Sequence, residues 1–367
     1  MRRFPLLLLL LLTASTVSFG QGPKDPKRMA KDFLLASLQK NDANEAIRDL
    51  DQAVSFDIEF VPAYVRRGQL YEEKKDASKA MENYTQALEL ILISRGKLKF
   101  ADKQLDSAIE DYELAIKLAP KAPQGLGVAS RVPDRVTSLA YYYSGLTYAE
   151  KEDYDKAVRN FTSAINLNGD FPEALYSMGL AKSLQDDLPG AIEDTKKAIA
   201  QKKNFIEAYQ SLELFYHQSR NWQDAQVFYR EALRKNPGDP DLIHSLGIAF
   251  LEDERGDKFD LAHTNLQHAA EMKPDDAGYM SDVGWALFKL NKLQDARVQL
   301  EKASAKDPSN ALTHERLGDV YVSLKDINKA RTSFEKALDL IDDNDREHRN
   351  SISDKLRQLD NADRRRR

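Results

Sequence analysis

Residues 277–310 read AGYMSDVGWALFKLNKLQDARVQLEKASAKDPSN, and residues 138–171 read SLAYYYSGLTYAEKEDYDKAVRNFTSAINLNGDF. Laid one over the other, their small residues coincide: Gly284 with Gly145, Ala296 with Ala157, Ala303 with Ala164. Large residues coincide as well, Leu287 with Tyr148 and Leu300 with Phe161. Seven residues make two helical turns, so each alanine pair lies on one helix face, where a methyl group lets another helix come close. The large residue between the two alanines fills the space they leave.

The alanine pair recurs along the chain at Ala46/Ala53, Ala80/Ala87, Ala108/Ala115, Ala157/Ala164, Ala191/Ala198, Ala225/Ala232, Ala262/Ala269, Ala296/Ala303 and Ala330/Ala337. Successive pairs are 34, 28, 49, 34, 34, 37, 34 and 34 residues apart. A dominant period of 34 means a stack of one supersecondary unit rather than a single-core globule. Upstream of most pairs stands a glycine: Gly68, Gly96, Gly145, Gly179, Gly247, Gly284 and Gly318. A helix-interior glycine costs about 1 kcal/mol against alanine, so its recurrence requires a compensating close approach. Pro120, Pro237, Pro274 and Pro308 follow second alanines by five residues and mark the end of a second helix. The unit reads as helix A, short turn, helix B, longer turn.

This pattern resembles the tetratricopeptide repeat family over about residues 27–344, in nine copies. The resemblance implies an all-α solenoid: antiparallel helix pairs wound into a right-handed superhelix, with helix A lining a concave groove that binds a protein or peptide. The expected organisation is a leader over 1–20, three repeats over 21–122, an inserted loop over 123–137, six repeats over 138–344, and a capping helix with a basic tail over 345–367.

Three breaks interrupt the register. The short step leaves Leu-Glu-Leu-Ile-Leu-Ile-Ser-Arg between Ala87 and Gly96, without a turn residue. Helix B of the second repeat is therefore expected to run into helix A of the third, with a kink or offset near Leu90–Ser94. The long step carries fifteen extra residues, about Pro123 to Thr137, read either as a connector or as a flap over the groove. The step of 37 places three extra residues around Arg255–Lys258. Ile352, Leu356 and Leu359 keep helical spacing in the C-terminal segment, as in a cap over the open end of a stack.

Arg2 and Arg3 precede an apolar run, Phe4 to Leu12, then small and hydroxyl residues and a cleavage pattern before Gln21. That is the layout of a secretory signal peptide, and the uncharged stretch is short for a membrane span of about 20 residues. A retained N-terminal anchor is the other reading and the one route to membrane contact. No cysteine occurs, so stability rests on packing, and a periplasm suits an exported chain without disulfides. The net charge of −5, with acids and bases interspersed, excludes a nucleic-acid footprint. Arg364–Arg367 reads as a solvated tail or as a weak contact for an acidic surface. Asn83-Tyr84-Thr85 and Asn160-Phe161-Thr162 match the N-glycosylation pattern, but each centres on a core position of helix B.

Function is expected on helix A. The resemblance places Tyr142, Tyr143 and Leu146 of the fourth repeat toward the groove. Tyr176 and Leu180 follow from the fifth, Leu214 and His217 from the sixth, His244 and Ile248 from the seventh, Trp285 and Phe288 from the eighth. Leu146, Leu180, Leu214, Ile248 and Trp285 occupy one repeat position, an apolar stripe read either as a binding surface or as packing between neighbouring helices. The carboxylate clamp of one subgroup, which grips heat-shock chaperone tails, is not met: Lys31 is followed by Leu35 where that clamp needs Asn.

No catalytic residue is assigned. The six histidines lack metal-ligand spacing, there is no thiol nucleophile, and neither a phosphate-binding loop nor a serine elbow occurs. No cofactor, metal, nucleic acid or small-molecule substrate is expected. Paired acids such as Asp186/Asp187 and Asp275/Asp276 fall in turns, where they start helices. The expected role is an exported, periplasmic scaffold that binds a protein or peptide partner in an envelope or secretion assembly. A periplasmic chaperone for apolar client segments and a cytoplasmic or membrane-anchored adaptor are the alternatives.

Overall fold

The computed structural model describes residues 25–119, 134–253 and 258–364, with side chains to 360. The described residues form eighteen α-helices and no strand. They fall into two compact units, Met1–Ser219 and Arg220–Arg367.

The first unit holds α1 (Pro26–Leu38), α2 (Ala43–Phe56), α3 (Val61–Glu73), α4 (Ala77–Ala101), α5 (Leu105–Leu118), α6 (Arg135–Glu150), α7 (Tyr154–Leu167), α8 (Pro172–Leu184), α9 (Leu188–Gln201) and α10 (Ile206–Ser219). The second holds α11 (Trp222–Lys235), α12 (Pro240–Leu251), α13 (Phe259–Met272), α14 (Ala277–Lys289), α15 (Leu293–Lys306), α16 (Ala311–Ser323), α17 (Ile327–Leu340) and α18 (Arg346–Arg364). Within each unit consecutive helices pack as hairpins, and each hairpin packs on the next.

All the paired alanines are buried except Ala232, which is half-buried. The recurring glycines explain the tightness of the hairpin. A Cβ on Gly145 would sit 2.6 Å from Cε1 of Phe161, and one on Gly284 would sit 2.6 Å from Cγ of Leu300. The same opposition pairs Gly68 with Tyr84, Gly96 with Tyr112, Gly179 with Thr195, Gly247 with Leu266 and Gly318 with Phe334. The residue between the two alanines thus lies flat on a helix surface that has no side chain there.

Six short A–B turns close the same way. Lys75, Lys103, Glu152, Asp186, Asn291 and Lys325 adopt left-handed backbone, with φ between 58° and 65°. At the first, the Asp76 amide donates to Tyr71 O at 2.8 Å, and the Asp76 carboxylate then accepts from the Lys79 amide at 3.1 Å. One residue therefore ends helix A and caps helix B. Asp187 and Asp276, the second members of the paired acids, cap α9 and α14 by accepting from Gly190 and Tyr279. Proline is not needed for the longer B–A turn. Asp57, Asn168 and Lys202 end α2, α7 and α9 in extended backbone without one.

Where the turn residues are missing, α4 is one helix of 25 residues that serves two hairpins. Its first half meets α3 and its second half meets α5. One core cluster gathers Tyr64, Leu90, Ile93, Tyr112, Val136 and Ala140, with Val61, Val65, Leu139 and Tyr143 packed on it. Side chains of α3 and α6, the A helices of the second and fourth repeats, thus share a core.

Helix α6 starts before the C-terminal boundary expected for the inserted loop. Asp134 accepts from the Thr137 amide at 3.0 Å, so α6 begins at Arg135 and takes in the last residues assigned to the loop. Residues 123–133 and 254–257, where the rest of that loop and most of the three-residue insertion fall, lie outside the described residues, as does the leader. The C-terminal helix α18 runs from Arg346 to Arg364. Ile352 and Leu359 are buried, and Arg349 donates to Leu338 O and Ile341 O at the end of α17.

Glu89 of α4 is 1% exposed. Its Oε2 accepts from Thr137 Oγ1 of α6 at 3.1 Å, and its Oε1 has no hydrogen-bond partner. Burial and the nearby Asp134 carboxylate push its pKa up to about 7, against the Thr137 hydrogen bond, which lowers it.

Two outcomes follow from this packing. Gly145→Ala should lower stability by about 1–3 kcal/mol, because Phe161 is fully buried and cannot retreat, despite the higher helix propensity of alanine. Phe161→Leu should recover part of that loss, read as a coupling energy in a denaturation double-mutant cycle. Glu89 gives a pH signature. Between about pH 4.5 and 7 the folded state keeps a proton that the unfolded state releases, so its contribution to stability falls as pH rises and levels off above 7. The stability of Glu89→Gln relative to the unmodified protein should therefore climb across that window, measured by urea unfolding at a series of pH values.

Candidate functional site

The helix-A residues singled out from sequence divide by burial. Tyr142, Tyr176 and Leu180 are buried, Leu180 completely. They are packing residues and do not form part of an exposed stripe. Tyr142 rings lie 4.9 Å from Phe171 and 6.0 Å from Phe161, and Tyr176 OH is 2.9 Å from Ser211 Oγ of α10. Helix A of the fifth repeat, α8, touches both neighbouring A helices, α6 and α10.

Tyr143 and Leu146 are half-buried. The Tyr143 hydroxyl donates to Glu59 Oε1 at 3.2 Å, and Lys97 Nζ lies 4.7 Å from its ring and 2.7 Å from Glu59 Oε2. The α2–α3 turn, α4 and α6 meet at this point. Tyr143 is thus held between three elements. Leu214 remains 40% exposed on α10, and His217 is exposed one turn further on.

In the second unit His244, Ile248, Trp285 and Phe288 are half-buried. Trp285 and Phe288 stack at 4.8 Å, with Lys289 Nζ 5.1 Å and the Arg316 guanidinium 5.6 Å from the indole. Arg316 donates to Asp282 Oδ1 at 2.7 Å and to Ser281 Oγ at 3.0 Å. His244 Nε2 lies 2.7 Å from Asp282 Oδ2, and its ring stacks on Tyr279 at 4.0 Å. Burial opposes ionisation of Asp282, yet Arg316 and His244 hold its carboxyl below the ordinary carboxylate range. Ion pairs therefore link the A helices of three successive repeats, α12, α14 and α16.

A second network closes the C-terminal end. Glu315 of α16 accepts from Lys355 at 2.9 Å and lies 2.7 Å from His348 Nε2, and Lys355 also reaches Asp319 at 2.8 Å. Burial raises the Asp319 pKa above the ordinary value, partly offset by Lys355. Arg316, Lys289, Glu315 and Asp319 were not among the residues picked from sequence. Extending the same repeat positions into 311–344 finds Glu315, Arg316 and Asp319 directly. Among the described residues no group of three His, Asp or Glu side chains is placed to hold a metal ion.

The chain belongs to the tetratricopeptide repeat family. Models of that repeat match residues 61–92, 91–121, 145–186, 208–241, 246–311 and 284–345. Among curated proteins it is similar to the mitochondrial import receptor subunit TOM70 of Saccharomyces cerevisiae, at 24% identity over 285 residues, covering 76% of this chain and 43% of that one. It is also similar to Hsp70-Hsp90 organizing protein 2 of Arabidopsis thaliana, at 21% identity, covering 63% of this chain and 39% of that one. The chain thus spans less than half the length of these relatives. A tetratricopeptide repeat protein of Parabacteroides merdae has the same fold: TM-score 0.51, 16% identity, 74% of this chain and 98% of that chain covered.

Replacing Arg316 with Leu would leave Asp282 facing His244 alone. The expected loss is about 2–3 kcal/mol, below the range for a wholly buried pair because both side chains keep some water contact. Asp282 has a lowered folded pKa, so its stabilisation is present above the unfolded carboxylate pKa and disappears as pH falls through the folded value. The difference between Arg316→Leu and the unmodified protein should therefore shrink below about pH 4, followed by thermal melting.

Proposed function

We propose that this protein is exported to the periplasm and works there as a scaffold in an envelope or secretion assembly, holding a peptide segment of its partner against helix-A faces. The observation that carries this reading is Trp285. Its indole is half-exposed, stacked on Phe288 and edged by Lys289 and Arg316. Large amphipathic rings held rigid by their neighbours are the usual anchors of protein interfaces. The carboxylates around it are already paired, so an apolar or aromatic partner residue can cover the indole without stranding a charge.

Export is supported by the basic, apolar and small-residue succession of the first twenty residues and by the absence of cysteine. Among the described residues no helix is long and apolar enough to cross a membrane. The similarity to an import receptor subunit and to a chaperone-organizing protein supports a partner that is itself a protein. The Lys31–Leu35 pair argues against a chaperone-tail clamp like that of the subgroup that carries Asn there.

The test is capture from native envelope extracts, with the tagged full chain compared with Trp285→Glu. A stoichiometric partner retained by the unmodified chain should be lost by the variant, with the melting temperature lowered by no more than a few degrees. Mature protein should begin near Gln21. Retention of every co-purifying protein by Trp285→Glu would remove the helix-A face from the reading, and an uncleaved cytosolic chain would remove export.

A further inference from the structure

The first unit carries an open cleft of about 370 Å³. Lys117 of α5 forms one wall, and Lys156 and Arg159 of α7 form the other. Tyr141 and Tyr148 of α6 line it between them. The two walls are B helices of adjacent repeats, with helix A of the later repeat between them.

Its cations are unequally committed. Lys156 Nζ is 2.7 Å from Asp153 Oδ2 and 5.1 Å from the Tyr148 ring. Lys117 and Arg159 are exposed and have no carboxylate within ion-pair distance among the described residues. The carboxylate that lines the cleft is Glu113. This positive character is not a property of the repeat. One period on, the positions of Arg159 and Asn160 are held by Glu193 and Asp194, and Asp194 is buried against Lys182. On a chain of net charge −5, unpaired cations gathered beside two tyrosines form a local exception.

The size of the cleft separates ligand classes. Cavities of about 300–1,000 Å³ take ligands of many atoms, whereas a lone inorganic anion would fill a fraction of one and leave the tyrosine faces unused. Carboxylates meeting Lys117 and Arg159, with a flat side chain against Tyr141, would use the whole surface. We propose that this cleft between α5, α6 and α7 is a second binding site, distinct from the Trp285 surface, for a short acidic peptide segment containing an aromatic residue.

The test uses the full chain and a fluorescein-labelled peptide of four glutamates, one phenylalanine and four glutamates, read by anisotropy at low ionic strength. Lys117→Glu combined with Arg159→Glu should weaken binding by about tenfold or more. Lys302→Glu combined with Lys336→Glu changes net charge equally at exposed positions in the other unit, and should shift binding by no more than about twofold. Replacing the peptide phenylalanine by serine should weaken binding several-fold. Equal losses from the two double variants, equal binding of a lysine peptide, or displacement by equimolar inorganic phosphate would each overturn the proposal. If the first double variant melts lower than the unmodified chain, Arg159→Gln alone serves in its place, with a loss of about threefold expected and no change overturning the site.

Discussion

In seven hairpins a glycine of helix A faces the residue set between the paired alanines of helix B, sixteen or nineteen positions later, and how closely the two helices approach is set at that point. Gly145 against Phe161 and Gly284 against Leu300 leave no room for even a methyl group. The flanking alanines extend the same close approach to two further turns of helix B. With the hairpin fixed at both contacts, the turn that joins its helices has little choice. It closes on a left-handed lysine, glutamate, aspartate or asparagine followed directly by the next cap. The helix-A residues outside these contacts are then free to differ from repeat to repeat.

That freedom is used differently in the two units. In the first, the A helices carry packing residues outward: Tyr142, Tyr176 and Leu180 are covered, and Tyr143 is tied to Glu59. In the second, the same faces carry ion pairs from one repeat to the next, Asp282 between His244 and Arg316, and Glu315 between His348 and Lys355. Pairing of this kind fixes side-chain positions more than it adds stability. It leaves Trp285 beside a carboxylate that already has its partners.

The architecture was legible in the sequence because its determinants are local and repeated. Glycine, alanine and the large residue between the alanines recur in one order, so nine weak patterns support one another. The continuous α4 was legible for the same reason, through the absence of turn residues between Ala87 and Gly96. Burial on helix A was not. Leu146, Leu180 and Leu214 occupy one repeat position, yet they are half-buried, buried and exposed respectively, because exposure there depends on what the adjacent A helix presents. Arg316 was missed because the position rule stopped one repeat early. The cleft beside Tyr141 was missed because its walls come from helices of different repeats, which no single period aligns.

The uninterrupted α4 has a consequence for how the array comes apart. In a linear stack each hairpin can open at the cost of its own contacts and one neighbour's, so fluctuations stay small and begin at the ends. A helix shared by two hairpins removes that independence. Fraying the second hairpin's half of α4 withdraws Leu90 and Ile93 from a cluster that also contains Tyr112 and Val136. The second and third repeats should therefore open as one block, anchored to the fourth through Glu89 and Thr137, with amide exchange across 77–101 expected to report a single event instead of two.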